Sequence, residues 1–177
     1  MQLHIGAERW TSTRLRKIAG PAGGYAGIGN SCCLRAVCDF LDGLDADGLM
    51  PKTILYTLNP SDNAMLATLT GSFSESGVQK LQFGPAWWYN DHECGIRDNL
   101  DALGSYSLMF MSLGMTTDSR TILSFSRHDY FRRILCDYIV NRVKMGELPA
   151  DMEFLGGVVT GISYKNADKW IYGNEYK

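Results

Sequence analysis

A short apolar run, a polar loop and an amphipathic helix follow one another repeatedly along this sequence, and that recurrence points to an α/β chain built on right-handed parallel crossovers. The first run, residues 2–7, reads as the end of a short strand leading into a glycine-rich stretch, expected to be a long surface loop up to Asn30. From Ser31, Leu34, Val37, Cys38 and Leu41 recur at helical spacing, ending near Gly43 or Gly48. Residues 52–58 are apolar and β-branched enough for a buried strand, and Asn59-Pro60-Ser61-Asp62 stops it and opens a helix through Leu69. The unit recurs with a strand at 78–83 and a helix around 96–103, then with a strand at 108–113 and a loop at 114–120. Ser126-Arg127-His128-Asp129 reads as a capping box opening a long helix that ends by Gly146, and a last helix is expected over 151–170.

Four such strands fit either a barrel or an open doubly wound sheet. The barrel is favoured by where the reactive side chains fall: His4, Asn59, Trp87 with Asp91, and Asp118 with Arg120 all follow a strand directly. In a parallel barrel those strand ends form the face that carries chemistry. An open nucleotide-binding sheet would show a glycine-rich phosphate turn, and neither GxGxxG nor a Walker pattern occurs. The length, 177 residues, falls short of the roughly 250 residues of a closed (β/α)8 barrel.

Composition excludes several classes. Seventeen basic residues against 19 acidic ones, with no long run of either sign, give no footprint for nucleic acid or an anionic membrane. No stretch is apolar for the ~18 residues of a membrane helix, and the N-terminus lacks signal-peptide character. The five cysteines show no CxxC or zinc-finger spacing, which fits reduced thiols in a cytoplasm.

Among the candidates for chemistry, Thr116-Thr117-Asp118-Ser119-Arg120 is the most informative segment. A carboxylate and a guanidinium two residues apart after a buried strand can turn into one pocket and hold a metal and an anion. Spacing alone leaves a structural reading equally open, with Asp118 capping a turn and Arg120 neutralising it. His4 can bind a metal, orient a hydroxyl or move a proton, although a lone histidine is more often bonded to a backbone carbonyl. The loop 83–91 gathers Trp87, Trp88 and Tyr89 with Asn90 and Asp91, rings on which sugars stack their C–H faces, with core packing the alternative for one tryptophan. Arg127 and His128 open a helix and are weaker candidates for an anion contact. No Ser-His-Asp order, HExxH or nucleophilic cysteine motif is present.

Taken together, Gln2-Leu3-His4-Ile5-Gly6, Leu49-Met50-Pro51-Lys52-Thr53-Ile54-Leu55-Tyr56 with Leu58-Asn59-Pro60, Gln82-Phe83-Gly84 with Ala86-Trp87-Trp88-Tyr89-Asn90-Asp91, Thr117-Asp118-Ser119-Arg120, and the run from Ser126 to Leu135 resemble the uronate (glucuronate) isomerases of the amidohydrolase superfamily. The resemblance implies the C-terminal half of a TIM (β/α)8 barrel of the metal-dependent hydrolase type, about four βα units. Strands five to eight would lie in residues 1–125 and C-terminal helices in 126–177. It implies reversible aldose-ketose isomerisation of hexuronates, D-glucuronate to D-fructuronate and D-galacturonate to D-tagaturonate, by proton transfer between C2 and C1 through an enediol. Asp118 would then be a metal contact, usually of zinc, and a proton shuttle. Arg120 would steady substrate charge, His4 would be the active-site histidine of the fifth strand, and Trp87 and Asn59 would line the substrate pocket. The family's His-x-His metal ligands, the following His-Tyr pair and a further arginine precede the fifth strand and have no counterpart in this sequence. Metal affinity is therefore expected to be weak, and the isolated chain inactive. Alternatives from other classes are a non-catalytic half that assembles with a missing N-terminal half or with itself, and a hydrolase of the same superfamily.

Overall fold

The computed structural model describes residues 1–21, 23, 26–75 and 78–173. Its centre is a three-stranded parallel sheet in the order β1 (Gln2–Ile5), β4 (Thr53–Thr57), β7 (Leu81–Phe83). β4 is the middle strand and all five of its residues are buried, as expected of a parallel strand covered on both faces. Because side chains alternate along a strand, Leu55 enters one apolar cluster while Ile54 and Tyr56 enter another. The larger cluster holds the helices: α2 (Leu34–Asp45), α3 (Asn63–Leu69), α4 (Glu93–Tyr106), α5 (Ser126–Lys144) and α6 (Met152–Thr160) contribute Leu41, Leu66, Leu100, Leu135 and Leu155.

The stretch expected to be one surface loop carries structure. Its β2 (Ala7–Arg9) pairs antiparallel with β3 (Ala26–Ile28), with α1 (Thr13–Ala19) between them. The Ser12 hydroxyl caps α1 by accepting from the Leu15 N–H at 3.3 Å, which satisfies a helix-end donor that the glycine count obscured. Part of the Gly20–Gly24 run lies outside the described residues. The strand expected at 78–83 bends at Lys80 into two pieces: β6 (Val78–Gln79) pairs with β5 (Ser74–Glu75), and only β7 joins the parallel sheet.

The fourth strand is a correction. Residues Met109–Met111 form a 3-10 turn, and no strand follows Phe83 among the described residues. The backbone groups of that segment are satisfied otherwise: Met111 N–H donates to Leu108 O at 2.9 Å, and the Asn166 amide donates to Phe110 O and Ser112 O at 2.8 and 2.9 Å. A buried backbone needs partners of some kind, and a side-chain amide meets that demand as a ladder would. The capping box at Ser126 is also absent. The Ser126 hydroxyl donates to Leu123 O, while the Asp129 carboxylate is held by Arg133 at 2.7 Å.

The last helix forms in two pieces. α6 starts at its N-cap Asp151, whose Oδ1 accepts from the N–H groups of Glu153 and Phe154, and runs through a π turn at Gly161–Lys165 into α7 (Asn166–Tyr172). Ala167 and Trp170 of α7 pack on the smaller cluster, and the Trp170 indole donates to Gln79 O at 2.7 Å. No helix among the described residues is long and apolar enough to cross a membrane.

Gly114 joins the segment after the 3-10 turn to the π turn. Its φ is +69°, and a Cβ there would lie 2.1 Å from the Ile162 carbonyl oxygen. Left-handed backbone alone costs a non-glycine residue about 1–2 kcal/mol, and the backbone clash adds to it. Gly114→Ala is therefore expected to lower stability by more than about 2 kcal/mol, read as a lower urea midpoint at unchanged slope.

Candidate active site at the strand ends

The register of β1 on β4 places His4 opposite Tyr56. Their rings stack with centroids 4.5 Å apart and planes within 8°, and the Trp87 ring meets His4 edge-on at 4.6 Å. Gly84, just past β7, makes room for this: a Cβ there would fall 2.5 Å from Tyr56 Cε1. Contacts of this kind contribute about 0.5–1.5 kcal/mol each beyond burial, so His4 is held by rings on two sides while the residue as a whole stays exposed. Covering the imidazole lowers its pKa below the ordinary 6.5, and the nearby Asp118 charge raises it in part. Burial likewise pushes the Tyr56 phenol up. The Thr116 hydroxyl, donating to the phenol oxygen at 3.4 Å, lowers it somewhat, and Asp118 adds a smaller rise.

Trp87 is 7% exposed and still finds a polar partner, its indole N–H donating to Asp118 Oδ2 at 3.1 Å. Core packing and a site contact thus coincide in one side chain. Asp118 has φ +44°, an uncommon conformation for a residue with a side chain. Around it lies a cavity of about 410 Å³ lined by Arg9, Trp87, Trp88, Thr117, Asp118, Arg120 and Arg127. Of the three guanidinium groups in that lining, Arg127 is paired with the buried Asp91 carboxylate, which leaves Arg9 and Arg120 beside Asp118, a balance that favours an anion.

The structure brings His4, Trp87 and Asp118 together and places Arg120 in the same cavity lining. Asn59 lies elsewhere: its amide donates to Gly29 O at 2.9 Å and its Oδ1 accepts from Ser61 N–H at 3.0 Å, so it fixes the loop after β4 and does not line the cavity. Arg9 was not singled out from the sequence as a pocket residue, and Trp88 was named only among the rings of the loop 83–91. The Arg9 guanidinium sits 5.1 Å from the Trp88 ring centroid, and Trp88 stacks on Tyr89 at 4.8 Å. The signal for Arg9 was available in principle, since it follows β1 by only a few residues, but it belongs to the hairpin strand that the glycines masked. The cysteines stay outside this lining. Burial, reinforced by Asp62, pushes the Cys32 thiol up to about 11, far from the thiolate a nucleophile requires.

A three-stranded parallel sheet with helices packed on it and a polar cavity at its strand ends defines a mixed α/β protein. The fold is that of the uronate isomerases: it superimposes on uronate isomerase from Thermotoga maritima with a TM-score of 0.84 and 31% identity, over 97% of this chain and 36% of that one. Glucuronate isomerase from Caulobacter crescentus shares the fold alone, with a TM-score of 0.82 at 22% identity, over all of this chain and 36% of that one. The family model described as glucuronate isomerase matches residues 1–171, and the chain belongs to that family. It is 47% identical over 172 residues to the uronate isomerase of Caldanaerobacter subterraneus subsp. tengcongensis, covering 97% of this chain. Identity to the Bacillus pumilus uronate isomerase is 43% over 178 residues, across the whole chain. The chain spans 37% of the length of each of these two relatives.

The opposed influences on His4 yield a sign that can be measured. Asp118→Asn removes the charge that raises the imidazole pKa and leaves the covering rings in place. The His4 pKa, followed by NMR titration of the ring protons, is expected to fall further below 6.5 in Asp118→Asn than in the unaltered chain.

Proposed function

We propose that this chain is the C-terminal half of a TIM (β/α)8 barrel with uronate isomerase activity in the assembled enzyme, interconverting D-glucuronate with D-fructuronate and D-galacturonate with D-tagaturonate. The observation that carries this reading is the convergence of His4, Trp87, Asp118 and Arg120 beside one cavity at the ends of parallel strands. The family match supplies the reaction class.

In this reading the substrate carboxylate lies toward Arg120 and Arg9, whose charges offset its own and that of a developing enediolate. Asp118 takes the C2 proton and returns it at C1, its Oδ2 oriented by the Trp87 indole. The lowered pKa leaves His4 neutral at pH 7, able to donate to one sugar oxygen or accept from another. Trp87 and Trp88 offer ring faces to the sugar, and Asn59 supports the wall indirectly by holding the loop after β4.

The family resemblance brings a divalent metal, zinc, with Asp118 among its ligands. Among the described residues no group of three or more His, Cys, Asp or Glu stands close enough to hold a metal ion. A catalytic zinc normally takes three protein ligands, so the donors of this chain do not fit one by themselves, and no step above passes through it. Zinc binding then depends on ligands from the N-terminal half. A non-catalytic assembly role is the second reading, favoured by exposed Ile122, Leu123 and Phe125, apolar surface that a partner half would cover.

The purified chain is expected to give no turnover on D-glucuronate or D-galacturonate, and mixing it with the N-terminal part of a family relative is expected to restore isomerisation. In that mixture Asp118→Asn should lower kcat by at least about 100-fold, the share typical of a proton-transfer group. Turnover by the chain alone would sink the half-barrel reading, and an inert mixture would count against the isomerase assignment.

A further inference from the structure

We propose that Arg127 and Asp91 are positioning residues for Asp118, forming a clamp that ties the loop after β7 to the loop carrying Asp118. The Asp91 side chain is only 3% exposed, and its Oδ2 is paired with Arg127 Nη2. Its Oδ1 has no hydrogen-bond partner among the described residues, so Arg127 is its one ion-pair partner there. A carboxylate withdrawn from water this far persists only beside a compensating charge. The same guanidinium turns Nη1 to the Thr117 carbonyl oxygen at 3.0 Å. A planar group with diverging donors can serve both acceptors at once, which an ammonium cannot do in the same geometry.

Thr117 immediately precedes Asp118, whose positive φ is held against its own preference. Four residues before Asp91, Trp87 in the same loop donates to Asp118 Oδ2. The two loops are therefore joined twice, once through Arg127 and once through the indole. The second bond depends on the first: the Trp87 indole reaches Asp118 only while the Thr117 carbonyl is fixed. This rests on Asp118 being the reactive carboxylate, but the clamp is tested by geometry and not by turnover, so an inactive assembly leaves the result interpretable.

The test is NMR hydrogen exchange on the full chain, reading the Trp87 indole N–H, assigned by its loss in Trp87→Phe, against the Leu55 amide of β4. Arg127→Gln is expected to speed exchange at the indole by at least about tenfold with Leu55 unchanged, the mark of a local opening. Asp91→Asn should do the same, the double variant should add nothing to either, and Arg127→Lys, which keeps the charge but loses one acceptor, should recover part of the protection. A smaller rise at the indole, or a parallel rise at Leu55, would overturn the proposal and leave Arg127 a general contributor to stability. Should Arg127→Gln fail to fold, Asp91→Asn and Arg127→Lys decide the matter by the same two signals.

Discussion

The parallel ladder between β1 and β4 carries the rest of the arrangement. It sets Gln2 beside Ile54, Leu3 beside Leu55, His4 beside Tyr56 and Ile5 beside Thr57. Because side chains alternate, a slip of one residue would turn His4 away from Tyr56 and bring Leu3 out of the apolar layer on which it packs. Burial of every β4 residue makes that slip costly, so the orientation of the histidine follows from the packing of the strand that carries Tyr56. On the far side of β4, β7 joins in parallel and delivers the loop with Trp87, and the cavity closes where Asp118 meets the indole.

Polar bonds at the strand ends hold the loops in turn. Asp62, fully buried, accepts from the Ser31 hydroxyl, from Cys32 N–H at 3.2 Å and from the Thr57 hydroxyl at 3.1 Å. It thereby links the entry of α2 to the end of β4. A buried carboxylate with this many donors is stabilised as a network and gives the chain only one way to exit the sheet. Asn90 plays a similar part, its amide donating to Leu58 O at 2.8 Å. The site residues are thus presented by loops whose backbone is pinned from below.

Much of this was legible in the sequence because it rests on local pattern. The buried strand at β4, the helical stripe through Leu34, Val37 and Leu41, and the long helix with Phe131, Leu135 and Tyr138 each repeat at a period that the burial enforces. The strand-end rule singled out His4 and Trp87, and it reached Asp118 by way of a strand at 108–113 that does not form; the structure nonetheless sets Trp87 against both His4 and Asp118. What failed was decided at a distance. Residues 108–113 have the composition of a strand, but Asn166, more than 50 positions away, supplies the donors to their carbonyls. The hairpin of β2 and β3 was hidden by glycines that read as loop, and with it Arg9, whose place in the cavity depends on that pairing. Asn59 was drawn toward the site by its position after β4, yet its amide is committed to Gly29 and Ser61.

The π turn between α6 and α7 adds one residue to a helical circuit and so rotates everything after it about the axis. Upstream of the turn, Leu155 and Val158 face the larger apolar cluster. Downstream, Ala167 and Trp170 address the smaller one. A straight α-helix of the same length would be out of phase by roughly a quarter of a revolution, and could not serve both clusters with one stripe. The turn works as a phase shifter. It lets a single rod seal two differently oriented surfaces, and it places Trp170 near Lys52 and Gln79, which precede β4 and β7. The end of the sheet opposite the cavity is thereby stoppered by the same segment, leaving the strand ends with the cavity as the open mouth.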